Sequence, residues 1–319
     1  MIRVTPPTLL LACLFLANLF LWGLAALAAL HNPIILGAAL LAWVFGARHA
    51  LDADHITAID TITRQLMERG QRPYLIGLYF SLGHSTIVIA ATIILIALPS
   101  SLLFQWLHLK GGLIGGAISS CFLLVMGLIT AYSALRQLRL PEDTRYNTSH
   151  NRLFPLKRSH GWKGWQVILL GMLFGLGFDT ASEISLLSLT SARHAAGQAI
   201  MICLLLPLLF TGAMALIDSL DNILMVRAWK ETQSKASRGR AHYRLGVTIL
   251  SSLIALSVGG MELGSLLDVK APSLLAFLNW CGDHAEGLGA SIIALFLLLW
   301  AGYSLSVRCP LFKDRPARG

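Results

Sequence analysis

Long apolar runs separated by short polar segments dominate the pattern along this chain. Eight of these runs reach or approach the length of about 20 residues that an α-helix needs to cross a bilayer. The pattern therefore predicts an all-α polytopic membrane protein, with residues 1–319 forming a single transmembrane domain. The predicted helices cover about 8–30, 34–62, 73–98, 112–137, 165–191, 198–226, 243–267 and 287–307.

The positions of the basic residues predict how these helices are oriented. With the N-terminus inside, the cytoplasmic segments carry all but four of the 25 Lys and Arg residues. They include two long basic loops, about 138–164 and 227–242. Because Lys and Arg are enriched in cytoplasmic loops, both termini are predicted to be cytoplasmic. The four exceptions are Arg48, Lys110, Arg193 and Lys270.

The composition agrees with this pattern and argues against several other classes of protein. Hydrophobic residues make up 55% of the chain and charged residues 13%, which excludes an ordinary soluble domain. The net charge of +9 belongs to the loops, so the lipid bilayer is the expected surrounding and no nucleic-acid partner is predicted. The five cysteines form no CxxC pair, which argues against a thiolate metal site. No GxxxxGK[ST] loop is present, so no ATPase subunit is implied.

The second predicted helix contains the most informative polar stretch, RHALDADHI (48–56). A charged side chain at the bilayer centre costs at least about 2.5 to 3.5 kcal/mol, so something must compensate for this cluster. On a continuous helix His49, Asp52 and His55 lie on one side, whereas Asp54 points away from His49. Imidazole and carboxylate ligands together favour divalent Ni, Co, Zn or Mn.

Polar residues at membrane depth recur on three further predicted helices. The third helix carries His84, and the fifth carries Asp179 and Glu183, which are four residues apart and share a face. The sixth carries Asp218 and Asp221, for which a solvated or helix-capping role is the alternative to transport. The simplest packing makes helices two, three, five and six an inner bundle around a polar pathway.

Carboxylates outnumber cations within this pathway. Arg48 is the one cation predicted at mid-depth, and we interpret it as structural, neutralising a carboxylate of the site. The remaining excess of negative charge predicts that a cation binds there.

A short internal similarity links the second and fifth predicted helices. The former reads FGARHALDADHI and the latter FGLGFDTASEI, so an FG precedes an acidic cluster in both. The predicted topology runs these two helices in opposite directions. Because many transporters are built from inverted repeats that meet at the membrane midplane, an inverted repeat is a further hypothesis.

Four motifs make the chain resemble the nickel/cobalt transporter family, NiCoT, across all eight predicted helices. The family signature GxxHAxDADHI is complete over 46–56, and FSLGHS at 80–85 matches an FxxGHS-type motif. LGFDTASE at 176–183 and AMALIDSLD at 213–221 match two further motifs. Every charged residue is kept, so the departures concern metal preference and helix spacing more than transport. These departures are Ser182, Ala213 and Ser219.

The resemblance implies a permease that is not an enzyme and that takes up Ni²⁺ or Co²⁺ across the cytoplasmic (inner) membrane. The metal would be the transported substrate, and no cofactor is implied. An exporter of the same metals is one alternative, because topology and ligands do not determine direction. An intramembrane metalloenzyme is a weaker one, because it needs further histidine boxes or an HExxH motif. The expected metal-binding residues are His49, Asp52, Asp54, His55, His84, Asp179, Glu183, Asp218 and Asp221.

Overall fold

Helices account for all regular secondary structure in the described part of the chain, which confirms the all-α prediction. The computed structural model describes residues 6–98, 105, 107–139, 162–177, 181–231, 238–267 and 271–308. A short π-helical turn, Leu107–Gly111, leads into the helix that begins at Gly112. The helices are α1 (Pro6–Ala29), α2 (Ile34–His49), α3 (Ala53–Glu68), α4 (Ile76–Ala97), α5 (Gly112–Leu138), α6 (Gly164–Phe174), α7 (Ala181–Ala195), α8 (Ile200–Glu231), α9 (Arg238–Leu266), α10 (Pro272–Asp283) and α11 (Ala285–Arg308).

Six of the described helices are long and apolar enough to cross a membrane. They are α1, α4, α5, α8, α9 and α11, and a seventh span results if α2 and α3 count as one. Their bounds lie near the predicted ones. The predicted helix 73–98, for example, is observed as α4. The protein therefore has several membrane-spanning helices, as the hydropathy pattern predicted.

The second predicted helix, 34–62, is not continuous, and this corrects the prediction. α2 and α3 are inclined to each other by 53° across residues 50–52. Asp52 has extended backbone torsions, with φ −64° and ψ 141°. Local sequence does not explain the break, because neither Gly nor Pro is present. At the break Gly289 of α11 approaches the carbonyl of Leu51 so closely that a β-carbon would not fit.

α3 is a polar helix buried along almost its whole length. The sequence prediction ended this helix at residue 62 and assigned Arg64 to a cytoplasmic loop. Instead the helix continues to Glu68, and Arg64 is only 5% exposed. α3 packs against α4, α5, α8, α9 and α11. The polar half of the second predicted helix therefore lies inside the bundle and not in a loop.

The fifth predicted helix, 165–191, is observed as two helices, α6 and α7. Residues 178–180 between them, which include Asp179, lie outside the described part of the chain. α6 packs closely against α4. Gly171 lies against the carbonyl of Phe80, and Gly175 lies against that of His84. These two glycines therefore allow α4 and α6 to approach at backbone distance.

α8 is the central helix of the bundle. It packs against α1, α2, α3, α4 and α7, and Leu206, Leu209 and Phe210 are among its buried apolar side chains. α5 and α9 form a second close pair. Only 11% of the spanning windows of α1 and α11 is buried, as expected for helices that face lipid.

Candidate metal site

Three buried histidine rings meet where α2 ends, α3 begins and α4 passes by. We call His49, His55 and His84 the histidine cluster; each is at most 2% exposed. Their ring centroids are 4.5 to 4.7 Å apart. One potential ligand nitrogen from each ring lies within 4.8 Å of the other two. This spacing allows three imidazoles to bind one metal ion.

Glu183, in the first turn of α7, adds a carboxylate to this cluster. Its Oε1 lies 2.8 Å from Nε2 of His84 and 3.7 Å from Nε2 of His49. The Nε2 atoms of these two histidines are 3.0 Å apart. The Glu183 side chain is fully buried. Three imidazoles and, beside two of them, one carboxylate oxygen therefore lie close together, and this donor set suits a divalent first-row transition metal.

Two ring nitrogens of the cluster make no hydrogen bond among the described residues. They are Nδ1 of His55 and Nδ1 of His84, and both are buried. Leaving a buried polar atom without a partner costs about 1 to 3 kcal/mol, so such atoms call for an explanation. Imidazole nitrogens of this kind could bind a metal ion.

Aromatic side chains form the walls around the histidines. The ring of Phe80 packs edge-on against His55 at 4.9 Å, and that of Phe210 lies 5.5 Å from His49. Phe174 supports Phe80 from behind at 5.2 Å. This apolar surrounding lowers the local dielectric and strengthens the electrostatic attraction between a cation and Glu183.

The helix break changes which predicted residues come together. The continuous-helix geometry grouped Asp52 with His49 and His55. In the structure Asp52 is buried at the break, and Asp54 occupies the first turn of α3, where its Oδ1 accepts a 2.7 Å hydrogen bond from the backbone of His55. Among the described residues neither aspartate belongs to the closely spaced ligand set.

Asp218 and Asp221 lie further along α8. Asp218 is 1% exposed, which is inconsistent with a solvated role, and its Oδ2 accepts a 2.6 Å hydrogen bond from Ser81. Asp54 and Asp221 are the charged groups that would repel an ionised Asp218. We call Asp54, Asp218 and Asp221 the acidic series.

Sequence reasoning misassigned Arg48 and missed a buried ion pair. Arg48 does not neutralise a carboxylate of the histidine cluster. It pairs with Glu286 of α11 at 2.5 Å, and its side chain is 55% exposed. The buried cation is Arg64, which pairs with Asp60 one turn earlier on α3. The i, i+4 spacing of Asp60 and Arg64 was the signal, but the predicted helix ended before Arg64.

Comparison with known proteins identifies relatives over most of the chain. Residues 35–306 match the model of the NicO family, described as high-affinity nickel-transport protein. A high-affinity nickel transport protein of Cupriavidus necator is 38% identical, covering 97% of this chain and 94% of the relative. The high-affinity nickel-transport protein NixA of Helicobacter pylori is 37% identical, with coverages of 90% and 94%.

A relative named for a different metal is similar to nearly the same extent. The cobalt transport protein NhlF of Rhodococcus rhodochrous is 35% identical, covering 83% of this chain and 81% of the relative. No solved structure matches the chain. These relatives are named as transporters, which agrees with the prediction that the chain is not an enzyme.

Proposed function

The chain belongs to the NicO family of high-affinity nickel transporters, and from this premise we propose that it carries Ni²⁺ or Co²⁺ inward through the histidine cluster. The observation that carries the proposal is the convergence of His49, His55 and His84 with the carboxylate of Glu183. Neutral imidazoles and an ionised carboxylate together compensate a divalent ion for the water that it loses.

The broken second helix supports ion binding at this point. His49 lies in the last turn of α2, where the carbonyl end of the helix carries partial negative charge. Interrupted helices whose ends face an ion are a recurring feature of secondary transporters. The second interruption, between α6 and α7, lies beside Glu183 and supports the inverted-repeat hypothesis.

From the histidine cluster the ion would pass to the acidic series of Asp54, Asp218 and Asp221. An interior-negative membrane potential contributes about 2.3 kcal/mol per charge per 100 mV, hence about 4.6 kcal/mol for a divalent ion. Inward movement therefore needs no nucleotide hydrolysis.

The membrane topology is part of the proposal. Eight spans result if α2 with α3 forms one span and α6 with α7 forms another. The bias of basic residues toward one side supports cytoplasmic N- and C-termini. The bias remains when Arg64, which is buried in the bundle, is no longer counted among the loop residues. The cytoplasmic membrane is the proposed location, because that is where the potential drives cations inward.

Purified protein in liposomes, with an imposed inside-negative potential and a trapped metal-sensitive dye, tests both substrate and site. Ni²⁺ or Co²⁺ should enter only when protein is present. His49→Ala should reduce the rate to that of empty vesicles, because one of the converging ligands is lost. His31→Ala is the matched control, since His31 lies in the exposed turn between α1 and α2.

The same vesicles distinguish the competing interpretations. Unchanged uptake by His49→Ala would exclude the histidine cluster as the site. Export is tested in cells, where the protein should raise cell-associated nickel or cobalt; a decrease would show that it is an exporter.

A further inference from the structure

A second polar cluster, of which only Asp221 is partly exposed, lies near the opposite end of α3 from the histidines. We call Asp60, Arg64, Asp221 and Ser251 the Arg64 cluster. Nε of Arg64 donates to both oxygens of Asp60, at 2.8 and 2.7 Å. Ser251 of α9 donates to Oδ2 of Asp60 at 3.2 Å. The guanidinium is thus tethered to its own helix and reaches into the space between α8, α9 and α11.

Aromatic rings and a thioether enclose the rest of the guanidinium. Its central carbon lies 4.5 Å from the ring centroid of Phe296 and 5.7 Å from that of Trp229. Nη2 lies 3.6 Å from the sulfur of Met225. Nη1 is buried and has no hydrogen-bond acceptor among the described residues. Arg64 therefore depends on one carboxylate and on cation–π contacts, an arrangement that a competing cation could disrupt.

A carboxylate on the neighbouring helix faces the same space. Asp221 of α8 and Arg64 both line a cavity of about 30 Å³, which is large enough for a water molecule. Asp221 also interacts electrostatically with Asp60 and Arg64. Arg64 carries one positive charge and pairs with Asp60 alone, whereas a divalent cation carries two and could interact with both carboxylates.

We propose that Arg64 is a tethered cation that occupies an inner binding station formed by Asp60 and Asp221, and that the transported ion must displace it. This inference rests on the proposed transport function. When the ion arrives, the guanidinium leaves Asp60 and both carboxylates bind the metal. Because the same movement takes Arg64 away from Phe296 and Trp229, arrival of the ion opens the aromatic enclosure. Arg64 is thus a positioning residue that acts through Asp60.

Metal-binding stoichiometry tests this proposal independently of transport. Calorimetry with Co²⁺ on the full-length protein should give one bound ion for the wild type and for Arg64→Lys, which keeps the charge. Arg64→Gln should bind two, because Asp60 and Asp221 are then free to hold an ion. The double variant Asp60→Asn/Arg64→Gln should return to one. The transport rate of Arg64→Gln in liposomes should fall about tenfold, because Asp60 and Asp221 no longer have Arg64 to compete with the metal and therefore retain it.

The stoichiometry should also be measured in the His49→Ala background. There Arg64→Gln should still gain one ion, so the result does not depend on whether the histidines bind metal. If the wild type binds no ion but Arg64→Gln binds one, the proposed metal site at the histidine cluster is wrong and the inner binding station of Asp60 and Asp221 is supported. If Arg64→Gln folds but binds no more ions than its parent protein, the proposed inner binding station is wrong.

The double variant provides a second test if Arg64→Gln does not fold. It removes both charges of the Asp60–Arg64 pair together, so neither partner of that pair is left buried without the other, which should preserve the fold. Without the tethered cation, loaded vesicles that hold this variant should leak Co²⁺ about tenfold faster than those with the wild type. Leakage equal to that of the wild type would overturn the proposal, because a purely structural ion pair predicts no change.

Discussion

The histidine cluster and the Arg64 cluster lie near the two ends of α3, and they compensate for burial in opposite ways. His55, at the start of the helix, keeps a ring nitrogen without a hydrogen bond in the described structure. Arg64, near the end, carries a permanent charge and is paired with Asp60 at hydrogen-bond distance. The first cluster offers lone pairs to a cation, whereas the second already holds one.

This difference indicates which buried polar groups are suited to an external ion. Both clusters are in an apolar surrounding where an uncompensated charge is costly. Neutral imidazoles can be buried without a bound ion at little electrostatic cost, whereas two neighbouring ionised aspartates cannot. The guanidinium beside the acidic residues therefore shows that their charge is already compensated, whereas the histidine nitrogens are suited to bind an external ion.

The largest effect is expected when a ligand of the histidine cluster is removed. His84→Ala takes away the ring that contacts both His49 and Glu183. The affinity for Co²⁺ or Ni²⁺ should fall by about a hundredfold or more, because loss of an outer-shell partner alone costs about 10- to 100-fold. Calorimetry on the purified variant measures this. An affinity within a few-fold of the wild type would remove the distinction between the two clusters.

A smaller loss is expected when only the charge beside the histidines is removed. Glu183→Gln keeps the shape of the side chain but no longer stabilises a cation or orients His84. Metal affinity should fall by about 10- to 100-fold, the range found for groups that orient metal ligands. The matched control is Glu286→Gln, whose carboxylate pairs with the exposed Arg48 and should leave affinity nearly unchanged.

Packing beside the histidine cluster gives a test of stability. Gly46 of α2 lies directly against the backbone of Phe210, so Gly46→Ala should force α2 and α8 apart. Overpacking of this kind costs about 1 to 3 kcal/mol, and the midpoint of thermal unfolding in detergent should fall. Gly37→Ala on the same helix meets nothing within 4 Å and should be neutral or slightly stabilising. Equal midpoints for the two variants would contradict the close approach.

The smallest effect is expected at the exposed arginine. Arg48→Gln breaks an ion pair that solvent reaches, and such pairs contribute about 0 to 1 kcal/mol. Metal affinity should remain within about twofold of the wild type. The free energy of unfolding should also change little, whereas loss of one partner of the buried Arg64 pair costs about 3 to 5 kcal/mol of stability. A tenfold change in affinity for Arg48→Gln would show that its charge reaches the histidine cluster after all.

The sequence predicted most of the architecture and much of the chemistry. Apolar runs located the spanning helices, because the preference for lipid accumulates residue by residue along the chain. The cost of burying charge selected the polar motifs, including the three histidines and Glu183. The role of Asp179 stays a prediction, because it lies outside the described residues.

Three features could not be derived in this way. The helix break at 50–52 has no Gly or Pro in its own sequence to signal it, and Gly289, which packs against it, is far away in the chain. That Asp52 and Asp54 are not among the closely spaced ligands of the described residues requires the three-dimensional positions of the side chains. The burial of Arg64 required knowing that α3 continues into the centre of the bundle.

The sequence by itself determined that this is a multi-span membrane protein whose polar residues are gathered on a few helices. Only the tertiary structure decided which of those residues meet. Hydropathy and helical periodicity are local properties of the chain. Convergence of His49 and His84, by contrast, depends on how closely separate backbones approach at glycines such as Gly46 and Gly175, and that distance is set by the packing of the whole bundle.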